Sequence, residues 1–150
     1  MSRPAAYLLV RAGTRRVGLP ITQVVEVVDP GRTYPVPSVG PAVRGIVTVR
    51  GRLLPVVHLG AFLDGGTCPT VPGGTGVVLA LDGRHLCLEV EEAELILREP
   101  GLSVPPGAAL PWAVAVARYA GGLVPLLDLS TLVSSLASTM VPAPASAPAV

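Results

Sequence analysis

Only a few side chains in this 150-residue sequence could act as catalytic or metal-binding groups. There are two histidines, His58 and His85, and two cysteines, Cys68 and Cys87. Neither histidine lies at metal-ligand spacing from a cysteine or a carboxylate, and the cysteines do not form a Cys-x-x-Cys motif. We expect His58 to cap a helical turn or to lie on the surface, and His85 to open a strand. The cysteines are expected to be free thiols of a cytosolic protein.

The other polar motifs also lack the parts of an enzyme. The glycine run at 73–76 precedes a strand and has neither the Lys nor the Ser/Thr of a phosphate loop. No serine lies in a nucleophile elbow. The acidic run of Glu89, Glu91, Glu92 and Glu94 is most simply a solvated face, with a charged partner surface as the alternative. The sequence therefore predicts a binding protein with no catalytic residues, no metal and no cofactor, and an enzyme with an unusual site is the least favoured hypothesis.

Composition limits the remaining classes of function. The formal net charge is +1, which argues against nucleic-acid binding because phosphate contacts need a basic surplus. Half of the residues are hydrophobic, too many for intrinsic disorder. The uncharged segment 129–150 is interrupted by prolines, so we do not expect it to insert into a membrane. These features predict a soluble, cytoplasmic protein.

The order of the elements follows from turn residues between short apolar runs. Gly and Pro number 17 each, which favours many short strands joined by tight turns. The segment 22–28 is ambiguous between strand and helix. We predict one domain over 1–137, with exposed or extended loops at 33–41, 64–76 and 100–111, and a disordered Ala/Pro/Ser-rich tail over 138–150. The predicted hairpins span 6–21, 43–57, 77–90 and 112–127, with helical turns at 58–63 and 128–136.

The second half of the chain repeats the first at an offset of 69 or 70 residues. A repeat of this length indicates two similar lobes, and because each would be marginal alone we expect them to share buried surface. A proline inside each return strand predicts that the strand lies at an edge or is bulged there. The matched positions include Gly51 and Gly121, Leu53 and Leu123, Pro55 and Pro125, His58 and Asp128, and Leu19 and Leu88.

The most unusual local feature is Arg50, which stands at a predicted hairpin tip between two apolar strands. An arginine there must face solvent or a partner. Its planar fork of donors makes arginine a common interface anchor. A plain exposed turn residue is the other interpretation that the physics allows.

The residues around this tip resemble those of a known family. The segment 44–59, RGIVTVRGRLLPVVHL, resembles the signature of CheW-like domains, the adaptor proteins of bacterial chemotaxis arrays. The resemblance extends over about 6–136. Its other parts are Leu19-Pro20-Ile21, the run 24–27 (VVEV), Val36-Pro37 with Pro41, and the run 126–129 (LLDL).

This resemblance implies a fold, a function and a set of partners. The implied fold is mainly all-β, with two intertwined, SH3-like, five-stranded barrels and short helical turns. The implied function is coupling of the cytoplasmic tips of methyl-accepting chemoreceptors to the CheW-like regulatory domain of the histidine kinase CheA, with recruitment to membrane-associated receptor arrays. The resemblance assigns receptor binding to Arg50, Val24, Glu26 and Leu53, and motif or turn roles to Gly45, Thr48, Gly51 and Pro55.

Two residues depart from the family pattern. Thr48 replaces an Asn and offers one hydroxyl in place of an amide. His58 replaces an Asp, and we expect it to lose a fixed negative charge and a good helix cap. These departures favour, as one alternative, an adaptor of a non-flagellar pathway such as surface motility. A small β-barrel that senses a ligand in an apolar groove is the other alternative.

Overall fold

The computed structural model describes residues 6–36, 40–72, 74–81, 83–98, 102–103 and 113–130. These residues form a mostly β protein with a 3-10 turn at Ile21–Gln23 and one short helix, α1, at Leu59–Asp64. The strands are β1 Tyr7–Ala12, β2 Arg15–Pro20, β3 Val24–Val28, β4 Val43–Val49, β5 Arg52–His58, β6 Thr75–Leu81, β7 Arg84–Val90, β8 Glu92–Leu97, β9 Leu102–Ser103, β10 Ala113–Tyr119 and β11 Gly122–Leu127.

The strands form two sheets, which we call lobe 1 and lobe 2. Lobe 1 has the order β8-β1-β2-β11-β10-β9, and lobe 2 has the order β3-β6-β7-β5-β4. The expected two-lobed β fold is therefore confirmed, with five strands in lobe 2. Lobe 1 holds one strand more, because the two-residue β9 pairs with β10 inside the segment that we expected to be a loop.

The repeat units and the lobes are not the same parts of the chain. Each lobe takes its first hairpin from one half of the sequence, and its third strand and second hairpin from the other half. Under the repeat, β1, β2, β3, β4 and β5 correspond to β6, β7, β8, β10 and β11, and with this correspondence the two sheets have the same strand order. The lobes are therefore intertwined, because the two halves exchange the third strand together with the hairpin that follows it: β3, β4 and β5 join lobe 2, and β8, β10 and β11 join lobe 1.

The register of pairing repeats as well as the order. In lobe 1, β2 and β11 run parallel and meet at Gly18 and Leu126. In lobe 2, β7 and β5 run parallel and begin to pair at Cys87 and Val56. These two contacts occupy matching positions at the offsets of 69 and 70. The internal repeat in the sequence is thus a repeat in three dimensions.

The largest hydrophobic cluster joins the two lobes. Burying each of its large aliphatic side chains contributes roughly 1.5–3 kcal/mol, and the shared cluster explains how two marginal lobes become one stable unit. Each lobe also has a smaller cluster of its own. The shared cluster draws Leu8, Val10 and Leu19 from lobe 1, and Val57, Leu79 and Leu88 from lobe 2.

The structure tests several local predictions of secondary structure. The ambiguous segment at 22–28 is the end of the 3-10 turn followed by β3. The helical turn expected after 58 is α1, which ends at Gly65 in a left-handed conformation with a φ of 70°. Asp128 accepts a hydrogen bond from the Ser130 N–H at 3.1 Å, as expected of a helix cap, but the rest of that helix lies outside the described residues. So do Trp112, Pro37 and the tail, and the domain boundary at 137 stays a prediction.

Candidate functional site

The tip of the β4–β5 hairpin is a two-residue turn made by Arg50 and Gly51. Both residues have positive φ angles, 50° and 79°. A turn of this shape matches the twist of the flanking strands, and it favours glycine or asparagine at both positions. Gly51 satisfies the second position, in agreement with its predicted turn role. Arg50 instead holds a left-handed backbone, which costs a residue with a Cβ roughly 1–2 kcal/mol.

Arg50 and Glu26, which are 24 residues apart in the chain, are brought together at this tip. The Arg50 Nε donates to both carboxylate oxygens of Glu26, at 2.8 and 3.1 Å. The side chain of Arg50 is 78% exposed, as expected of a residue that faces solvent or a partner. The hydrogen bond from Arg50 lowers the pKa of Glu26, and the same contact raises the pKa of Arg50.

The other two residues assigned to receptor binding have different surroundings. Leu53 lies on β5 opposite Thr48, and it is 72% exposed, which is unusual for a leucine. Val24 is partly buried and packs against the shared hydrophobic cluster, so only part of its side chain could meet a partner. Three of the four assigned residues therefore present exposed or ion-paired groups, and Val24 supports the core.

Gly45 is required because a neighbouring segment crosses directly over β4. A Cβ atom at this position would lie 2.2 Å from the carbonyl oxygen of Tyr34, and the φ of Gly45 is 151°. The crossing is fixed by two hydrogen bonds of 2.8 Å between the backbones of Tyr34 and Ile46. The register of β4 and β5 also shifts between Val43 and Gly45, which leaves Arg44 as a bulged residue.

Pro55 does not lie on an edge strand, and the same is true of Pro125. β5 runs between β7 and β4, and β11 runs between β2 and β10, so the first alternative, an edge strand, is wrong for both. The second alternative, a bulge, occurs beside both prolines but on the partner strands β4 and β10. Ile46, opposite Pro55, uses its N–H and C=O for Tyr34, so this pair is not hydrogen-bonded and the ring nitrogen of Pro55 points away from β4. The proline is tolerated because the parallel ladder to β7 begins one residue later, at Val56.

The strand pairing after Pro125 leaves an opening in lobe 1. β11 and β2 share only one bridge, which follows that proline. Between the start of β2 and the tip of the β10–β11 hairpin lies an open groove, which we call the lobe 1 cleft. In lobe 2 the ladder between β5 and β7 also starts after its proline, but Arg52 at the start of β5 contacts His85 at the start of β7 at 3.1 Å.

The acidic run is not a solvated face, so that expectation is wrong. Glu89 is 1% exposed and accepts a hydrogen bond from Arg44 Nε at 2.5 Å. Glu91 accepts the Gly13 N–H at 2.5 Å. The remaining pairs, both at the surface of lobe 1, are Arg11 with Glu92 at 2.7 Å and Arg16 with Glu94 at 2.8 Å. The run therefore joins strands that are distant in sequence.

His58 caps α1 and is buried, so the expected capping role is confirmed, whereas the loss of a good cap expected from the replacement of the family's Asp is wrong. Its Nδ1 accepts the Ala61 N–H at 2.9 Å, and its Nε2 lies 3.1 Å from a carboxylate oxygen of Glu91. Because Nδ1 accepts a hydrogen bond, the proton of the neutral ring is on Nε2, where it can be donated to Glu91. Since Glu91 also binds Gly13, these contacts connect α1 to lobe 1.

The buried pair of Arg44 and Glu89 was not identified from the sequence. Both are charged residues within mainly apolar strands, and this sequence feature could have identified them as a candidate buried ion pair. The second guanidinium nitrogen NH2 of Arg44 is buried without a hydrogen-bond partner among the described residues. Nearby, the Cys68 thiol donates to the Ala42 carbonyl at 3.1 Å. Burial raises the pKa of the Cys68 thiol and raises that of Cys87 to about 12.

The arrangement as a whole supports binding and offers little for chemistry. Among the described residues, no three His, Cys, Asp or Glu side chains converge on a point where they could hold a metal ion. In the same part of the chain, no helix is both long and apolar enough to cross a membrane. What the fold presents is an open groove in lobe 1 and, at the hairpin tip of lobe 2, an exposed, ion-paired arginine. These features define a two-lobed β scaffold.

Comparison with known proteins identifies the family. The family model for the CheW-like domain matches residues 6–98. The chain therefore belongs to the CheW-like domain family.

Two relatives place this assignment in context. Protein FrzA of Myxococcus xanthus is 30% identical over 92 residues, which are 61% of this chain and 57% of FrzA. The match thus spans little more than half of that relative's length. The crystal structure of the scaffolding protein TtCheW from Thermoanaerobacter tengcongensis superimposes with a TM-score of 0.73. It is 18% identical, and the alignment covers 86% of this chain and 87% of that one, so it supports the fold.

Proposed function

We propose that this protein is a chemosensory adaptor that couples the cytoplasmic tips of methyl-accepting chemoreceptors to the CheW-like regulatory domain of the histidine kinase CheA. In this role it acts in the cytoplasm and is recruited to membrane-associated receptor arrays. Membership of the CheW-like family supports the adaptor class. The partners are inferred from that membership together with the surface described above.

The observation that carries the proposal is the exposed arginine tip of lobe 2. Arg50 stays on the surface at a turn position that its backbone disfavours, and Glu26 holds its guanidinium in one orientation. Leu53 lies on the same hairpin as an exposed apolar contact. A receptor helix that offers a carboxylate or carbonyl to Arg50 and an apolar side chain to Leu53 fits this surface, as in other helix-in-groove complexes.

The decisive experiment compares Arg50 with its counterpart in lobe 1. The full chain is mixed with a receptor cytoplasmic fragment and, separately, with the CheA regulatory domain. Arg50→Glu should weaken receptor co-sedimentation at least about tenfold, since it reverses the charge of a central interface anchor. It should leave the kinase complex largely intact. Ala120→Glu places the same acidic side chain at the matched turn of lobe 1 and should leave receptor binding unchanged.

Two results would contradict the proposal. Equal receptor binding by the wild type and Arg50→Glu would remove the role assigned to this tip. Failure of the wild-type chain to bind either partner would remove the coupling function itself. The alternative of an adaptor in a non-flagellar pathway was based on the departures at Thr48 and His58. Because His58 caps α1 as an Asp would, this alternative now depends on Thr48 alone.

A further inference from the structure

The lobe 1 cleft is an open groove of about 530 Å³ that the proposed receptor contact does not use. Its walls are the start of β2 and the tip of the β10–β11 hairpin. The groove exists because the parallel pairing of β2 and β11 is limited to one bridge, at Gly18 and Leu126. Pro125, the residue before that bridge, has no N–H with which to extend the ladder. The groove therefore results from the strand pairing itself.

The lining of this groove is positively charged. It contains Arg11, Arg15 and Arg16, and no carboxylate lines it. The carboxylates that pair with these arginines belong to strand β8 and helix α1. The nitrogen–oxygen distances are 2.7 Å to Glu92, 2.6 Å to Asp64 and 2.8 Å to Glu94. Each pair occupies one guanidinium nitrogen, so donors of each fork remain for a ligand in the groove.

The opposite wall of the groove is apolar. Leu123 is 63% exposed at the matching position to Leu53, and it lies beside the turn formed by Ala120 and Gly121. The Arg16 guanidinium lies 5.5 Å from the ring centroid of Tyr119, which also lines the groove. The groove thus combines a cationic wall with an apolar wall, which complements a helix that has one acidic face and one apolar face.

We propose that the lobe 1 cleft binds an acidic, amphipathic α-helix of a protein partner. Its carboxylates pair with Arg11, Arg15 and Arg16, and a leucine-like side chain packs on Leu123. A partner strand is disfavoured because Pro125 interrupts the row of backbone donors that strand addition requires. A small inorganic anion would leave the exposed leucine without a role. This site lies in the other lobe from Arg50, so the two can be occupied together.

The test uses the full chain and a designed peptide as the probe. The peptide has about 20 residues, long enough for a helix of roughly 30 Å, with leucines at i, i+3 and i+7 and glutamates on the flanking positions. Binding is followed by fluorescence anisotropy in an Arg50→Glu background, so that the lobe 2 tip cannot contribute. Leu123→Asp and Arg16→Gln should each weaken binding about tenfold or more. Leu53→Asp, the matched change in lobe 2, should leave it unchanged.

Further controls make each outcome decisive. Affinity should fall as salt is raised, and a peptide with lysines in place of glutamates should not bind. Circular dichroism melts check that the exposed substitutions leave the fold intact. The proposal is wrong if neither peptide binds, if both bind equally, or if Leu53→Asp removes binding and Leu123→Asp does not. It is also wrong if sedimentation shows that Leu123→Asp dissociates a dimer of the chain, since the occupant would then be a second copy. Because the assay needs no receptor, its failure leaves the proposed receptor contact untouched.

Discussion

The two hairpin tips, one in each lobe, have the same backbone and different side chains. The first turn residue has a φ of 50° at Arg50 and 52° at Ala120, and the glycine that follows has a φ of 79° in both. The position that matches Glu26 in the other lobe is Leu95. The lobe 1 turn therefore forms without an ion pair, which shows that the fold does not require the pair of Arg50 and Glu26. This difference is what favours a binding role for the lobe 2 tip.

The strands behind the tips differ in a second way. Both β4 and β10 contain a register shift, and the extra residue is Arg44 in one and the partly exposed Val114 in the other. Arg44 reaches the buried Glu89, and the next residue, Gly45, lies under the backbone of Tyr34. In lobe 1, the residue that matches Gly45 is the buried Ala115, which pairs with Ser103 of β9. Lobe 2 thus carries a buried charge pair and a closer crossing.

The largest effect is expected from exchanging alanine and glycine at these matched positions. Gly45→Ala should lower the free energy of unfolding by about 4 kcal/mol, because the new methyl group collides with a backbone that two hydrogen bonds hold in place. Ala115→Gly should cost only about 1 kcal/mol, the usual entropic penalty of glycine in a strand. Urea unfolding of both variants measures the difference, and similar losses would show that the Tyr34 crossing does not constrain β4.

A smaller effect should follow from removing the arginine of the buried pair. Arg44→Leu should cost about 3 kcal/mol, because it leaves Glu89 buried without its main counter-charge. Arg15→Leu removes an exposed pair with Asp64 and should cost less than about 1 kcal/mol. Both variants replace an arginine by leucine, so the difference between their denaturation midpoints reports the difference between a buried and an exposed ion pair. Equal midpoints would mean that Arg44 is not needed for the stability of lobe 2.

The turns themselves should respond to asparagine, which tolerates a left-handed backbone. Ala120→Asn should raise the free energy of unfolding by about 0.5–1 kcal/mol, because it relieves the strain of a left-handed alanine. Arg50→Asn should gain less, since it relieves the same strain and also loses the contact with Glu26. Thermal melts of the two variants test this order. A larger gain at Arg50 would indicate that the ion pair does not favour the folded tip.

The smallest expected effect is a change in the pKa of Glu26. Because Arg50 lowers the pKa of Glu26, the stabilisation from this pair is complete above the ordinary glutamate pKa and is lost as the pH falls through the lowered value. Arg50→Ala should move the Glu26 pKa back up toward its ordinary range, as read from the carboxyl carbon shift by NMR. Arg52→Ala, which removes a neighbouring arginine that contacts His85, should leave the Glu26 titration as it is in the wild type.

Local turn chemistry explains how much of this fold was predictable. Glycine-containing turns and short apolar runs placed the four main hairpins within two residues of their observed ends. The exchange of the third strand and the second hairpin between the halves could not be found in this way, because it depends on packing between halves of the chain. The pairs of the acidic run are equally remote, since Arg11 and Glu92 are 81 residues apart. Short-range patterns do not contain such contacts.

In the candidate site, too, the local features were predictable from the sequence and the long-range contacts were not. The exposure of Arg50 followed from its position between a turn glycine and apolar strands. Its contact with Glu26 needed the structure, although the family resemblance had already placed both residues at the binding surface. Pro55 was assigned to an edge or a bulge because the prediction counted donors without knowing that Ile46 pairs outward to Tyr34. The ability of His58 to cap a helix was underestimated, because an imidazole nitrogen can accept the same N–H as a carboxylate.

The exchange of the third strand and the second hairpin between the halves has one further consequence. Neither half of the polypeptide contains a complete sheet, so a protein made of one repeat alone could fold only as a reciprocal pair of chains. Gene duplication and fusion of such a homodimer would produce the present arrangement in a single step. Cleavage in the loop between Gly66 and Thr70 should accordingly yield two fragments that are unfolded when expressed separately and that co-purify as a complemented whole when expressed together.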